Sequence, residues 1–464
     1  MYFKQFYLGC LAHASYLIGS DGVGAVVDPQ RDVDTYVEAA REAGLEIRYI
    51  FETHVHADFV SGHRELAART GAQIVFGRRA AATFPHIPVA DGDRIDVGSL
   101  RFDILETPGH TPEGISIVVS DTAEHAQPVR VLTGDTLFIG DVGRPDLVGS
   151  KGFSASDMAG MLFDSLHDKL LRLDDAVEVY PAHGAGSLCG RSMSQERSST
   201  IGAQRVSNYA LVPMSKDAFI SLMTTALPEQ PAYFALDAEM NRHGAIGLDA
   251  LPKPKAMTAN AVRDAMRAGA LVLDVRPSEI YGPEHLFGSM NVGLDGQFAP
   301  WAGSLIPFER RIIIVAPALT QVDETVMRLA RIGLMTVDGY LEGGVDAWKA
   351  AGFAMGSVPQ ISVQELAHRI ARGIDGQLID VRRPPEIETG IAPGAMPITL
   401  TSLEASLDRL DPLQPITIVC GSGYRSSIAA SLLESSGFTD ITNVDGGMSA
   451  YNEAKLPIVH LATA

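Results

Sequence analysis

The stretch Leu271-Val272-Leu273-Asp274-Val275-Arg276 returns, little altered, as Gln377-Leu378-Ile379-Asp380-Val381-Arg382. Three more segments return behind it in the same order. Gly288-Ser289-Met290 becomes Gly394-Ala395-Met396, and Ile312-Ile313-Ile314-Val315 becomes Ile416-Thr417-Ile418-Val419. Gly343-Gly344-Val345-Asp346-Ala347-Trp348 becomes Gly446-Gly447-Met448-Ser449-Ala450-Tyr451. A period of roughly 100 residues is too long for a solenoid unit and is the size of a whole domain. The repeat therefore commits this part of the chain to two copies of one fold, 256–356 and 360–464, meeting near Gly356-Ser357-Val358-Pro359. Each copy alternates apolar runs with helical periodicity, the pattern of an open parallel sheet. Residues 1–250 remain as a third domain, and 464 residues predict three at about 150 each. Leu251-Pro252-Lys253-Pro254-Lys255 resists helix and core alike and reads as a linker.

The leading domain crowds potential metal ligands into turns. An apolar strand over 47–51 runs into Thr53-His54-Val55-His56-Ala57-Asp58-Phe59, and a helix is predicted over 60–69. Pro108-Gly109-His110-Thr111, Thr133-Gly134-Asp135-Thr136 and Pro181-Ala182-His183-Gly184 follow, each with one His or Asp in a tight turn beside an apolar strand. Neutral imidazole and carboxylate are the ligands that borderline first-row metals prefer. Four such turns in this order resemble the metallo-β-lactamase superfamily. That resemblance implies an αββα sandwich, so the whole chain is expected to be α/β: the sandwich, then the two copies. Strands are predicted over 16–18, 24–27, 73–76, 101–105, 115–119, 129–132 and 177–180. Helices are predicted over 33–43 with Asp32 as cap, over 154–171 with Ser154 as cap, and over 194–208.

Two-metal hydrolases of the superfamily usually carry a His directly after the Asp of the first turn. Here that residue is Phe59, which cannot ligate. The pattern is instead similar to the persulfide dioxygenases, and the likeness implies one Fe(II) per chain on His54, His110 and Asp135. Two His and one carboxylate leave positions open for O2 and a substrate sulfur. His56, Asp58 and His183 would then orient ligands or hold water; His56 as a fourth ligand would favour zinc. Arg144 matches a position linked to thiol-substrate binding in related enzymes, and a structural role fits it equally. Cys189, six residues past His183, is expected to line the pocket, as a sulfur relay or as packing. The glutathione-using members show an Asp and a Tyr after the last His; this chain does not, which leaves the thiol carrier open. Cys10, His13, His63, His86 and His125 lack a supporting constellation and are expected to be structural.

The two copies resemble the rhodanese (sulfurtransferase) fold, in their Asp-Val-Arg strand, their strand-to-loop step and their closing Gly-Gly with an aromatic. The second copy carries Cys420-Gly421-Ser422-Gly423-Tyr424-Arg425-Ser426-Ser427 directly after an apolar strand, with a helix predicted over 426–435. A Gly-rich loop turns backbone N–H groups inward, and with the helix N-terminus they favour an anion at its centre. They would favour the Cys420 thiolate and a persulfide made on it. Gly421, Ser422, Gly423 and Tyr424 are thus expected to cradle the substrate, with Arg425 adding positive charge. The first copy has Ala316 in place of the Cys and Pro317 after it, so it is expected to be catalytically dead, a spacer or docking surface.

A formal charge of −19 argues against nucleic acid and anionic membrane as partners. No apolar run reaches the roughly eighteen residues of a membrane span. Three Cys make no disulfide framework, and Met1-Tyr2-Phe3-Lys4 runs straight into strand-like sequence, so a cytoplasmic location is expected. A homo-oligomer, dimer or tetramer, is expected as well. The order of domains resembles fused persulfide dioxygenase–sulfurtransferases. That implies oxidation of a low-molecular-weight thiol persulfide by O2 to sulfite, and sulfur transfer through Cys420 to give thiosulfate. Two alternatives stay open: a zinc thioester hydrolase of the glyoxalase II type, and a non-oxidising sulfur carrier that docks partners.

Overall fold

A computed structural model describes residues 1–125, 127–147, 152–225, 227 and 230–461. The chain divides into two compact units, Met1–Leu251 with Ala330–Gly333, and Pro252–Leu329 with Leu334–Ala464. No helix among the described residues is long and apolar enough to cross a membrane.

The first unit contains two six-stranded sheets. One runs in chain order through Tyr2–Leu8, His13–Ser20, Val23–Val27, Glu46–Glu52, Gln73–Gly77 and Ile87–Val89. The other runs through Arg94–Val97, Leu100–Glu106, Ile115–Asp121, Pro128–Gly134, Glu178–Pro181 and Ser199–Thr200. Alternation along single strands builds the layers. Ile115, Ile117 and Val119 enter the core between the sheets, with Tyr16, Val27, Phe51, Phe102 and Leu132. Val118, between them in sequence, turns outward to pack with Leu162, Leu166 and Phe219. The helix Asp34–Glu42 covers the other sheet through Tyr36, Ala39 and Ala40. Strands Val23–Val27, Glu46–Glu52 and Gln73–Gly77 are mutually parallel, as are Pro128–Gly134 and Glu178–Pro181. Loops leaving the C-terminal ends of Glu46–Glu52, Pro128–Gly134 and Glu178–Pro181 carry the turns of His54, Asp135 and His183, and the His110 turn follows the antiparallel strand Leu100–Glu106.

Four expectations need correction. No side chain caps the helix Asp34–Glu42, so Asp32 is not its cap. The helix expected from residue 60 starts at His63, because Val60 and Ser61 still belong to the turn. The helix expected over 194–208 shrinks to Ile201–Ser207, behind the short strand Ser199–Thr200. Ser154 does cap its helix, in a reciprocal box with Asp157, but the α-helical part ends at Asp164.

In the second unit the repeat becomes visible as topology. One five-stranded sheet has the order Lys255–Met257, Val337–Leu341, Ile312–Val315, Leu271–Asp274, Met290–Asn291. The other has the order Gln360–Ile361, Ile441–Val444, Ile416–Val419, Gln377–Asp380, Met396–Pro397. Every pairing within both is parallel. The repeated Asp-Val-Arg has one job in both copies. The Arg folds back on the Asp two residues earlier, Arg276 on Asp274 at 2.6 Å and Arg382 on Asp380 at 2.7 Å, pinning the strand end.

Candidate metal centre and thiol site

Strand Glu46–Glu52 ends just before Thr53, and His54 then turns its ring toward Asp135, which follows the end of strand Pro128–Gly134. His54 Nε2 lies 3.8 Å and His110 Nε2 3.4 Å from Asp135 Oδ2. The three ligand atoms lie within 4.8 Å of one another, and all three residues are buried. Gly134 is required here: its φ is +52°, and a Cβ would sit 2.5 Å from Thr53 Oγ1.

The remaining hydrogen bonds fix which nitrogen of each ring carries its proton. Thr53 Oγ1 donates to Asp28 Oδ2 at 2.9 Å, so it can only accept from His54 Nδ1, 3.0 Å away. His110 Nδ1 donates to the carbonyl of Arg144 at 2.9 Å. Both rings therefore turn a lone pair on Nε2 toward the carboxylate. Burial holds His54 well below the ordinary imidazole value, and lowers His110, so both are neutral. Burial pushes the Asp135 carboxyl up, but the charged His183 ring against its other oxygen outweighs burial and holds it well below its ordinary value. Asp135 Oδ2 has no hydrogen-bond donor among the described residues. Two lone pairs and a carboxylate oxygen thus converge with no proton between them, a donor set that fits a borderline divalent cation.

His56 is not part of this set. Its Nε2 lies 3.1 Å from Asp28 Oδ1 and 3.3 Å from Glu52 Oε2. Burial disfavours its charge, but Asp28 and Glu52 raise it well above its ordinary value, and these three residues form a group of their own within 4.8 Å. Phe59 is buried beside it, the ring centroids 4.5 Å apart. His183 bridges two carboxylates, with Nδ1 2.8 Å from Asp135 Oδ1 and Nε2 2.8 Å from Asp58 Oδ2. Burial opposes its charge, and the two aspartates still push it up to about 10. Asp58, His183 and Cys189 bring an oxygen, a nitrogen and a sulfur within 4.8 Å of one another. Burial, then Asp58 and Asp135, raise the Cys189 thiol well above its ordinary value, so it keeps its proton.

Arg144 departs from the substrate-binding expectation. Its guanidinium is buried and holds Asp146 through two bonds of 2.7 and 2.6 Å, and it donates to the Leu188 carbonyl at 3.2 Å. Its backbone N–H bonds the Cys189 carbonyl and its own carbonyl orients His110, so it ties the Cys189 loop to the His110 turn.

Several site residues have no signature in the sequence. Asp28, after the strand Val23–Val27, reaches Thr53 through both oxygens. Glu52 collects His56, His63 and Ser61. Asn241, from the helix Tyr233–His243, clamps the turn by donating to the His56 and Phe59 carbonyls and accepting from Ser61 N–H. The period-2 and period-3.6 patterns point to the elements but not to these long-range pairs.

In the second unit Cys420 is fully buried at the end of strand Ile416–Val419. Its Sγ accepts from Gly423 N–H at 3.1 Å and from Ser426 Oγ at 3.3 Å. Gly423, at φ +99°, turns the chain into the helix Tyr424–Ser435. The loop's own carbonyls at Cys420 and Gly421 accept from Met448 and Ser449 N–H at 2.7 and 2.9 Å. Gly421 lies beside Arg425, whose guanidinium is held by both Glu386 oxygens at 2.6 and 2.7 Å. Ser422 is the exposed outer residue of the loop. Tyr424 corrects an expectation, because its hydroxyl donates to the Gly293 carbonyl at 2.7 Å and is not offered to a substrate.

Comparisons with known proteins bear on the fold and the family. The metallo-β-lactamase superfamily model matches residues 8–183, and the rhodanese-like domain model matches residues 362–454. The mitochondrial persulfide dioxygenase of Bos taurus is 31% identical over 192 residues, covering 39% of this chain and 68% of that protein. A hydroxyacylglutathione hydrolase of Methylobacillus flagellatus is 28% identical over 228 residues, covering 49% and 80%. A crystal structure of a metallo-β-lactamase from Staphylococcus aureus subsp. aureus COL aligns with a TM-score of 0.66 and 32% identity, covering 73% of this chain and 98% of that one. Fold and relatives together make this chain a member of the metallo-β-lactamase superfamily that also carries a rhodanese-like domain.

Proposed function

We propose that the chain is a non-haem iron persulfide dioxygenase joined to a thiosulfate-forming sulfurtransferase. The observation that carries the first half is the donor set itself: two neutral imidazoles and one carboxylate, with His56 committed elsewhere. That is a facial set of two His and one carboxylate, the arrangement suited to ferrous oxygenase chemistry. Fe(II) bound there, one per chain, supplies the one-electron chemistry that lets O2 react with a sulfur. The balance is persulfide, O2 and water in; thiol, sulfite and protons out.

The chain's own residues do the rest. Asp28 and Thr53 hold His54 in the ligating tautomer, and the Arg144 carbonyl does the same for His110. His183 and Asp58 hold Asp135 from behind. Thr111 lines the narrow pocket beside the ligands, and its buried hydroxyl has no partner among the described residues, which suits it to donate to a bound substrate. Cys189 groups with Asp58 and His183 rather than with the three proposed ligands, which favours packing over a role as sulfur relay.

At the second site the Cys420 thiolate attacks the outer sulfur of a low-molecular-weight persulfide, and the thiol leaves. Sulfite then attacks the outer sulfur now on Cys420, releasing thiosulfate and restoring the thiolate. Gly423 N–H and Ser426 Oγ stabilise the anionic sulfur; Arg425, expected to add positive charge, is already paired with Glu386.

The test is O2 uptake on glutathione persulfide, with sulfite and thiosulfate measured together, in wild type, His110→Ala and Cys420→Ser. The reading requires uptake to vanish in His110→Ala alone, and thiosulfate in Cys420→Ser. Thioester hydrolysis without O2 uptake would favour a glyoxalase II type of activity, and a Cys420 persulfide without O2 uptake a sulfur carrier.

A further inference from the structure

The helix Tyr424–Ser435 begins at the Cys420 loop, and one of its faces is polar where it meets the inactive copy. Tyr424, Ser427, Ser431 and Glu434 recur at intervals of three and four, which places them in one stripe. Each has a partner in that copy. Tyr424 Oη donates to the Gly293 carbonyl at 2.7 Å, and Ser427 Oγ donates to Asn291 Oδ1 at 2.7 Å. Ser431 Oγ accepts from Asn291 N–H at 3.1 Å. The Glu434 carboxylate accepts from Gly288 N–H at 3.1 Å and lies 3.2 Å from His285 Nε2.

The partners are themselves fixed. The Asn291 amide donates to the Asp274 and Arg276 carbonyls at 3.1 and 2.9 Å, so its oxygen can point only one way. The Tyr424 ring fills a slot lined by glycines, and a Cβ on Gly296 would meet it at 2.3 Å and one on Gly293 at 3.5 Å. Apolar packing would hold the copies together without fixing register, whereas directional bonds to carbonyl and amide oxygens allow one position. On the same first turn of the helix, Gly423 and Ser426 supply the two donors to Cys420 Sγ.

The geometry points to the inactive copy as a template that sets the Cys420 loop, with Asn291, Gly293 and Gly296 as positioning residues acting through Tyr424 and Ser427. The inference rests on Cys420 being the sulfur-transfer nucleophile. It assigns work to a copy that has lost its own cysteine: the copy is needed for the reactivity of a thiol it never touches.

The test uses the full chain with Gly296→Ala, Asn291→Ala and Tyr424→Phe. Alkylation of Cys420 by iodoacetamide is followed across pH on the Cys420 peptide by mass spectrometry. Thiosulfate formation gives kcat and KM, and thermal unfolding reports folding. Displacing Tyr424 draws Gly423 and Ser426 from the sulfur, so the midpoint of the alkylation profile moves up. kcat falls by roughly 10–100-fold while KM for sulfite changes little, the signature of misplacement. Tyr424→Phe loses only a hydroxyl, keeps its ring in the slot and shifts the profile less, in the same direction. Profiles that superimpose on wild type in folded Gly296→Ala and Asn291→Ala overturn the inference. Should neither fold, an unshifted Tyr424→Phe profile overturns it alone. Wild type without sulfur transfer sinks the sulfurtransferase reading instead, and the alkylation series still decides the template role.

Discussion

Replacing Thr53 by Val should weaken metal binding although Thr53 is not a ligand. The hydroxyl has two partners: it donates to Asp28 Oδ2 at 2.9 Å and accepts from His54 Nδ1 at 3.0 Å. Valine has the same shape and neither capacity. Without the acceptor at Nδ1, the neutral ring gains nothing from keeping its proton there. The tautomer with the proton on Nε2 gains instead, because that proton then faces Asp135 Oδ2 at 3.8 Å. Nε2 loses its lone pair to exactly the group it should share a cation with. Loss of such an outer partner weakens metal sites by about 10–100-fold, equivalent to about 1.4–2.8 kcal/mol. The metal-free protein loses stability as well, by about 1–3 kcal/mol, because the buried Asp28 Oδ2 loses the Thr53 hydroxyl as its donor. The Thr53 N–H bond to Asp28 Oδ1, 2.7 Å, survives the change and bounds that loss. Thr53→Ser restores the hydroxyl and should restore most of the affinity. The assay is anaerobic competition for Fe(II) against a chromophoric chelator, with urea unfolding of the metal-free proteins beside it. Equal affinity in wild type, Val and Ser variants would refute the tautomer argument.

Other consequences are equally concrete. Cys420→Ser should abolish thiosulfate formation and leave persulfide-dependent O2 uptake intact; equal loss of both would contradict two separable half-reactions. Arg144→Ala should lower stability by about 3 kcal/mol, the cost of breaking a buried ion pair, and a raised KM for persulfide in a fully stable variant would return Arg144 to substrate binding. Burial pushes the Glu52 carboxyl up, but bonds to His56 and His63 outweigh it and bring it to about 2. A carboxyl lowered on folding contributes stability that is present above its unfolded value near 4.3 and lost as pH falls toward 2, about 3 kcal/mol across that window. Urea unfolding of metal-free wild type and Glu52→Gln between pH 5 and 2.5 checks this, and an identical acid limb in both would assign it to other groups.

Much of the first site was legible because its chemistry is dense in sequence. His54, His110, Asp135 and His183 each sit in a short turn after an apolar strand, and such turns are rare enough to read. Asp28 was not legible, since one Asp after an apolar run is ordinary and its partner lies 25 residues on. Asn241 was missed with its helix, Tyr233–His243, whose mixed apolar and charged sequence carries no clear stripe. The repeat showed two copies of one sheet, and the strand orders match copy for copy. The partners of Tyr424 and Ser427 could not be read, because a backbone carbonyl such as that of Gly293 has no signature in the sequence. Arg144 shows a different limit. An Arg two residues before an Asp looks the same whether it waits for a substrate carboxylate or already holds that Asp, and only the 2.6 Å contact distinguishes them.

The central claim is an iron oxygenase built on His54, His110 and Asp135, and the most direct measurement combines metal content with reaction stoichiometry. Protein purified without oxygen and loaded with Fe(II) is assayed for iron per chain, and then for O2 consumed per sulfite plus thiosulfate formed from persulfide. The account predicts one iron per chain, one O2 per oxidised sulfur, and neither iron nor uptake in His110→Ala. Protein active as purified with two zinc ions per chain, turning over a thioester and consuming no O2, would contradict it.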